Sequence, residues 1–427
     1  MRNDTLAVMM LCLVPLSCVS AGEKPVNEPT PILVPPSQPW WPKAPPLPKP
    51  KGQVIRAANV KELLQAAKDV QPGGTILLAD GLYQMPTWLT IKTDNVTLRG
   101  QSGVRERVVL DGSKVRRGEL VIVSRCKGVT LADFTIQNVR WNGFKIDSHR
   151  GTQKVTIYNC IIHNIWQRGV KGVGVPKKDG VQQYIRDCRI QYCLFYNDRP
   201  KRDSDDPEKP FRGFRINYIA GIDIMNTKDW VISDNVFVGI RGKDWGRGAI
   251  FVWVDSHGVI IERNIIIDCD GGIALGNSSG RDRVPAHCTG GIVRNNFVTR
   301  GPQAGIKATH TKNCKILNNT IHEPRSRLRR LIRLVHSNDG LLVANNLLSG
   351  PSGPARYKTQ GQITLKNNLI LDATVCFVDP KNGDLHVKGP LPEAAGKALP
   401  LEDVSHDIDR TPRGEKPDIG AHQFTGK

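Results

Sequence analysis

The sequence predicts an all-β chain: a single-stranded right-handed parallel β-helix, a solenoid closed at its N-terminal end by one capping helix. Three observations predict it. A short pattern returns nine times, from VTLADFTIQN at Val129 to ITLKNNLILD at Ile363. Within each copy the apolar residues alternate with period two, as in a strand with one buried face. One turn position is filled by Phe134, Cys160, Cys188, Asn235, Asn264, Asn296, Asn319, Asn346 and Asn368, at spacings of 26, 28, 47, 29, 32, 23, 27 and 22 residues. Apart from the 47, that is one period with loops of variable length. Such units cannot bury their own apolar side and must stack into one continuous core. Period-two alternation with much Val, Ile and Gly excludes helical repeats. Asn suits a sharp turn in left-handed geometry, and stacked amides can bond the neighbours above and below. These asparagines are therefore expected to be structural.

The elements follow in order. Arg2, the apolar run 6–16 and the small-residue site Val19-Ser20-Ala21 read as a signal peptide spanning 1–21, cleaved after Ala21. The run is too short to span a bilayer, and no later stretch is apolar enough to do so. Residues 22–52 are rich in proline and read as an extended spacer that cannot pack. Val60, Leu63, Leu64 and Ala67 then share one helical face behind an Asn59–Glu62 capping pair. This helix, 60–70, should close the first coil. The solenoid is expected over 53–378 and a tail packing on it over 379–427.

A second strand recurs in the coils: GFKID at Gly143, GIDIM at Gly221, AIFVW at Ala249, GIALG at Gly272, GIKAT at Gly305 and LIRLV at Leu331. Alternation sends Ile222, Ile250, Ile273, Ile306 and Ile332 inward. It sends Asp223, Phe251, Ala274, Lys307 and Arg333 outward, one per coil.

Ten cysteines are present and two fall in the signal. None of the other eight forms a CxxC pair, so no zinc site is indicated; beside repeat motifs they read as small buried apolar residues. The formal charge of +20 favours a polyanionic partner. For an exported chain, secreted, periplasmic or at the cell surface, that partner is an acidic or sulfated polysaccharide rather than nucleic acid. The chain is expected to be monomeric.

With these residues in view, the chain resembles the pectate-lyase-type right-handed parallel β-helix superfamily over about 53–424. The stretch PGGTILLADGLYQMPTWLTIKTDNVTLRGQSG, from Pro72, resembles its first coil after the capping helix. The tail DIDRTPRGEKPDIGAHQF, from Asp407, resembles the ending of secreted members. GIKATHTKNCKILNNT and LIRLVHSNDGLLVANNLLSG are similar to the lysine and arginine segments of alginate-lyase and chondroitinase-B-type lyases. That resemblance implies β-elimination, with Lys307 as base and Arg333 as acid or carboxylate clamp. The family's Arg-His pair is interrupted here by Leu334 and Val335. Its calcium-holding acids are replaced by Arg300, Gly301 and Pro302. Calcium is thus left open as a cofactor; Asp203, Asp205, Asp206 and Glu208, in the long insert, are alternative ligands.

His310 and His336 occupy matching slots in neighbouring coils and are candidate proton shuttles or stacked turn residues. Asp223, Asp255 and His257 are candidates for sugar hydroxyls or a metal. Trp253, with Trp230 and Trp245 nearby, is a candidate for stacking on sugar. Asp268 and Asp270 in DCDGG faintly resemble a polygalacturonase motif, a hydrolase alternative that needs paired carboxylates. A non-catalytic glycan-binding or cell-surface structural protein using the same face is the other alternative.

Overall fold

The computed structural model describes residues 32–426, apart from 116–117, 207–217, 244–245, 279–283, 300–302 and 326–329. The signal-peptide expectation, Glu208, Trp245 and 300–302 lie outside the described residues.

The coils stack into three parallel sheets of twelve, fourteen and eleven strands, and several coils give the second sheet two short strands, as Gly248–Trp253 and Ser256–His257 do. The first sheet runs from Val54–Ala57 to Ile363–Lys366 and the third from Gly81–Gln84 to Leu369–Leu371. The second sheet, from Leu89–Ile91 to Ala355–Gln360, carries the outward row that includes Lys307. Helix α1 (Val60–Asp69) starts where the Asn59 side chain accepts from the Glu62 N–H at 3.0 Å, and the Glu62 carboxylate in turn accepts from the Ala58 N–H at 2.8 Å. It buries Leu63 and Ala66 against the first coil, with Leu64 half-buried.

The asparagine ladder is real. The Asn235 Nδ2 donates to Asn264 Oδ1 at 3.0 Å, and the same bond links Asn264 to Asn296, Asn296 to Asn319, Asn319 to Asn346 and Asn346 to Asn368 at 3.0, 2.9, 2.9 and 2.8 Å. Each Oδ1 also accepts the backbone N–H of the rung before it. Left-handed geometry, however, falls on the residue preceding each rung: Asp234, Arg263, Asn295, Asn318, Asn345 and Asn367 all have positive φ. Two neighbouring positions thus divide the work that the sequence reading gave to one.

One register expectation is corrected. Tyr158 pairs with Gln191 and Ile161 with Leu194, so the residue opposite Cys160 is Cys193, not Cys188. The Cys193 N–H donates to Asn235 Oδ1 at 2.9 Å. The irregular spacings become 33 and 42 residues. YIRDCRIQYC contains two cysteines at similar local patterns, and alternation alone could not choose between them. Seven of the eight described cysteines are buried.

The proline-rich stretch is extended, but from residue 32 onward it does not hang free. Leu33, Trp40 and Trp41 pack against a second apolar cluster, which includes Ile161, Leu194, Val236, Ile265 and Phe297 of the third sheet and Phe377, Leu385, Leu391, Ile408 and Ile419 of the tail. Pro45 and Pro48 carbonyls accept from Tyr158 Oη at 2.7 Å and Arg99 at 3.1 Å. A proline segment cannot donate, but its carbonyls and rings still pack. Arg413 fastens the tail by donating to Asp418 and Gly420 carbonyls and to Asn295 Oδ1.

Candidate functional site

The outward row on the second sheet is in register across seven coils: Lys145, Lys171, Asp223, Phe251, Ala274, Lys307 and Arg333. The isoleucines between them, Ile222, Ile250, Ile273, Ile306 and Ile332, are buried in the core. Ala274 is the smallest side chain in the row. Its place between Phe251 and Lys307 leaves a hollow, an open cleft of about 440 Å³ lined by Arg247, Phe251, Ala274, Gln303, Lys307 and Arg333 together with nearby backbone.

The cleft is strongly cationic. Lys307 makes no side-chain hydrogen bond or ion pair with any described residue. Burial, and then the charges of Arg247 and Arg333, bring its pKa down to about 8. The Arg333 guanidinium lies 5.5 Å from the centre of the Tyr357 ring, and Tyr357 is exposed. The Arg247 guanidinium sits 5.7 Å from both the Tyr218 and the Phe251 ring centres and has no carboxylate partner among the described residues. Aromatic faces hold a guanidinium without neutralising it, so all three charges stay available to an anion.

Asp223 points outward, as alternation requires, yet it is completely buried. Its carboxylate accepts from Arg168 Nε at 3.1 Å, Lys171 Nζ at 2.9 Å, Trp253 Nε1 at 3.0 Å and the Tyr218 hydroxyl. Burial would raise its pKa, but Lys171 and Arg168 outweigh that and hold it well below the ordinary range. Asp223 therefore organises the floor beside the cleft. Trp253 lies one outward place further along its strand, where its ring stacks on Phe251 at 5.2 Å. Trp230 is buried in the core.

The remaining candidates stand around the next corner, outside the cleft lining. Asp255 accepts from Tyr184 Oη at 2.8 Å and pairs with His257 Nε2 at 2.9 Å. His310 and His336 stack with ring centres 5.0 Å apart and both have positive φ, as turn residues. Lys307 and Arg333 are thus brought together, and the histidines are not brought into the cleft with them.

No carboxylate lines the cleft among the described residues, so its donor set does not fit a calcium ion. In the insert, Asp205 is held by Arg199 at 2.7 Å through both oxygens, Asp206 by Lys201 at 2.6 Å and Asp203 by Lys243 at 2.6 Å. Asp407, Asp409 and His422 lie close together in the tail. The Asp407 oxygens already accept from the Asp409, Thr411 and Gln423 N–H groups, and Asp409 pairs with His386.

Sequence reasoning missed Arg247, Gln303 and Tyr218. They belong to no repeat slot, and only the stacking of unequal loops brings Arg247 and Gln303 to the cleft and Tyr218 beside Arg247. It notes Asp268 and Asp270 only as a faint likeness to a hydrolase motif, ranked below the lyase reading. Asp268 pairs with Arg241 at 3.2 Å, while buried Asp270 accepts from the backbone N–H groups of Gly242 and Gly246.

Residues 96–378 match the family described as the right handed beta helix region, and the chain belongs to that family. No curated protein matches the chain. Among solved structures, it is similar to pectate lyase Pel9A, with a TM-score of 0.58 and 13% identity over 84% of this chain and 90% of that one. An alginate lyase from Paenibacillus sp. str. FPU-7 aligns with a TM-score of 0.38 and 14% identity, over 75% of this chain and 99% of that one. The A-module of mannuronan C-5 epimerase AlgE6 from Azotobacter vinelandii aligns at 0.41 and 14%, over 74% and 96%. These likenesses concern the fold. Among the described residues no helix is long and apolar enough to cross a membrane.

Proposed function

We propose that this protein acts outside the cytoplasm on an acidic polysaccharide, binding it in the cationic cleft and cleaving it by β-elimination. One observation carries the reading: a lysine with no hydrogen-bond or ion-pair partner among the described residues, its pKa brought down to about 8, stands in the same cleft as two arginines that no described acid neutralises. Elimination from a 4-linked uronate needs a base and a cation on the carboxylate. Neutral Lys307 takes the C5 proton. The electron pair moves through the carboxylate, whose charge Arg333 offsets, and then forms the C4–C5 double bond as the C4–O bond breaks. The ammonium of Lys307 returns its proton to the departing oxygen. Acid–base hydrolysis needs two carboxylates at the bond, and the lining described above has none.

The test is a panel of uronate and sulfated glycans at low salt, followed for the ultraviolet absorbance of an unsaturated uronate. Turnover by the wild type that Lys307→Ala loses while still binding supports the reading. Binding without turnover would make the protein a glycan-binding surface protein instead. Neither binding nor turnover would overturn both.

A further inference from the structure

We infer that Arg247 is an anion-recognising residue of the cleft, taking a carboxylate or sulfate group of the glycan, and that Asp270 is its positioning residue. The inference rests on the proposed use of the cleft by an acidic glycan.

Arg247 stands at the entry to strand Gly248–Trp253. Its side chain is exposed, and the loop before it is tied from several sides. The Arg247 N–H donates to the Ile219 carbonyl at 2.7 Å. One oxygen of the buried Asp270 accepts from the Gly246 N–H at 2.5 Å and from the Gly242 N–H at 2.6 Å, so both glycines are held on one carboxylate oxygen. The Gly246 carbonyl accepts from Gln303 Nε2 at 3.0 Å. A Cβ on Gly246 would lie 2.3 Å from the Ile219 Cγ2, so only glycine lets the loop close this far. The guanidinium at the end of this clamp lies 5.7 Å from the centres of both the Tyr218 and the Phe251 rings and meets no acid among the described residues.

Holding an exposed cation in place costs side-chain entropy. The clamp, with its buried Asp270, gives Arg247 no counter-ion among the described residues. An incoming anion supplies that counter-ion. It would then sit near Lys307, whose pKa Arg247 already lowers. Among the described residues the Asp270 carboxylate makes no bond to Lys307, while its backbone adjoins the lining at Gly271 and its carbonyl accepts from the Gln303 N–H at 2.9 Å. It acts through the loop.

The experiment uses the full chain and two probes: an oligouronate carrying only carboxylates, and a uronate oligosaccharide carrying sulfate esters. Affinity is measured at low and moderate salt. Arg247→Gln should weaken binding of one or both probes roughly tenfold, the size of a lost charged hydrogen bond, and reduce the salt dependence. The more affected probe identifies the group. Asp270→Asn should weaken the same probe, and the double variant should be no weaker than Arg247→Gln alone, because the two act as one unit. A merely structural Asp270 would give additive losses. If Asp270→Asn does not fold, Gly246→Ala displaces the same loop and should match Arg247→Gln. A second readout needs no glycan: the pH dependence of Lys307 acylation by an amine reagent, read by peptide mass. Its midpoint should rise in Arg247→Gln. Wild type that binds while Arg247→Gln binds equally well overturns this inference alone. Wild type that binds neither probe overturns the proposed function, and this inference with it.

Discussion

Lys307 and Arg333 are direct partners on adjacent strands, facing out from consecutive rungs of one parallel sheet. Their side chains start about 4.8 Å apart, the spacing of neighbouring strands. No carboxylate lines the cleft around them among the described residues. Two like charges at this distance repel, and burial of Lys307 sharpens the effect. The arrangement lowers stability locally and favours whatever negative group enters.

The first prediction concerns pH. A base must be neutral to act, and the Lys307 pKa lies at about 8. Turnover should therefore rise with pH through that value and then level. A rate–pH profile that is flat from neutral pH upward would exclude Lys307 as the base.

The second concerns Arg333. Replacing it with alanine should lower kcat more than it weakens binding, because the enolate-like transition state carries more charge at the carboxylate than the ground state. Arg333→Lys should restore part of the loss but not all, since a lysine cannot make the paired contact of a guanidinium. Equal losses in kcat and affinity for Arg333→Ala would refute a role in the chemical step.

The third concerns the ladder. Asn319 is buried, and its amide donates to Asn346 Oδ1 and to the carbonyls of Val293 and Leu317. Asn319→Ala should destabilise the fold by about 1–3 kcal/mol, measured as a shift in the denaturant midpoint. An unchanged midpoint would argue against a ladder that contributes to stability.

The fourth concerns the cap. Leu63 is wholly buried beneath α1. A solenoid cut open at one end exposes its core and three strand edges. Deleting residues 53–70 should give aggregated or poorly secreted protein. A soluble truncation that unfolds cooperatively would show that the cap is dispensable.

The fifth concerns His386, which pairs through one nitrogen with Asp384 at 2.5 Å and through the other with Asp409 at 2.9 Å. Burial alone would lower its pKa, but the two hydrogen bonds outweigh that and raise it to about 9. A raised pKa stabilises the fold fully below the unfolded value near 6.5. That contribution is lost as pH climbs through about 9. Wild type should lose stability across this window more steeply than His386→Gln. Parallel stability curves would remove the ion-pair account.

Much of this was legible in the chain. Period-two alternation put Lys307 and Arg333 on one face, because a strand turns each side chain by half a circle and stacking preserves the register. The same rule sent Asp223 outward, correctly, but alternation says nothing about what lies on top. Tyr218, Arg168 and Lys171 cover it, and two of these come from another coil. Cys188 was taken for Cys193 because both follow the same local pattern and only the partner strand separates them. Arg247 was illegible for a different reason. It sits in a loop outside the repeat, and its position depends on Asp270, a contact between coils that leaves no spacing in the sequence.

The asparagine ladder has a direction. Every rung from Asn235 to Asn346 donates its amide toward the C-terminal neighbour and receives nothing from that neighbour's Nδ2. A coil added at the C-terminal side brings the one oxygen that satisfies both waiting donors of the coil before it, the backbone N–H and the side-chain amide. A chain crossing a membrane N-terminus first would present its rungs in that order. The growing tip would always hold two unfilled donors and the next coil their acceptor. Each arriving coil would close the ladder on the coil before it, like a zip drawn in the order the chain emerges.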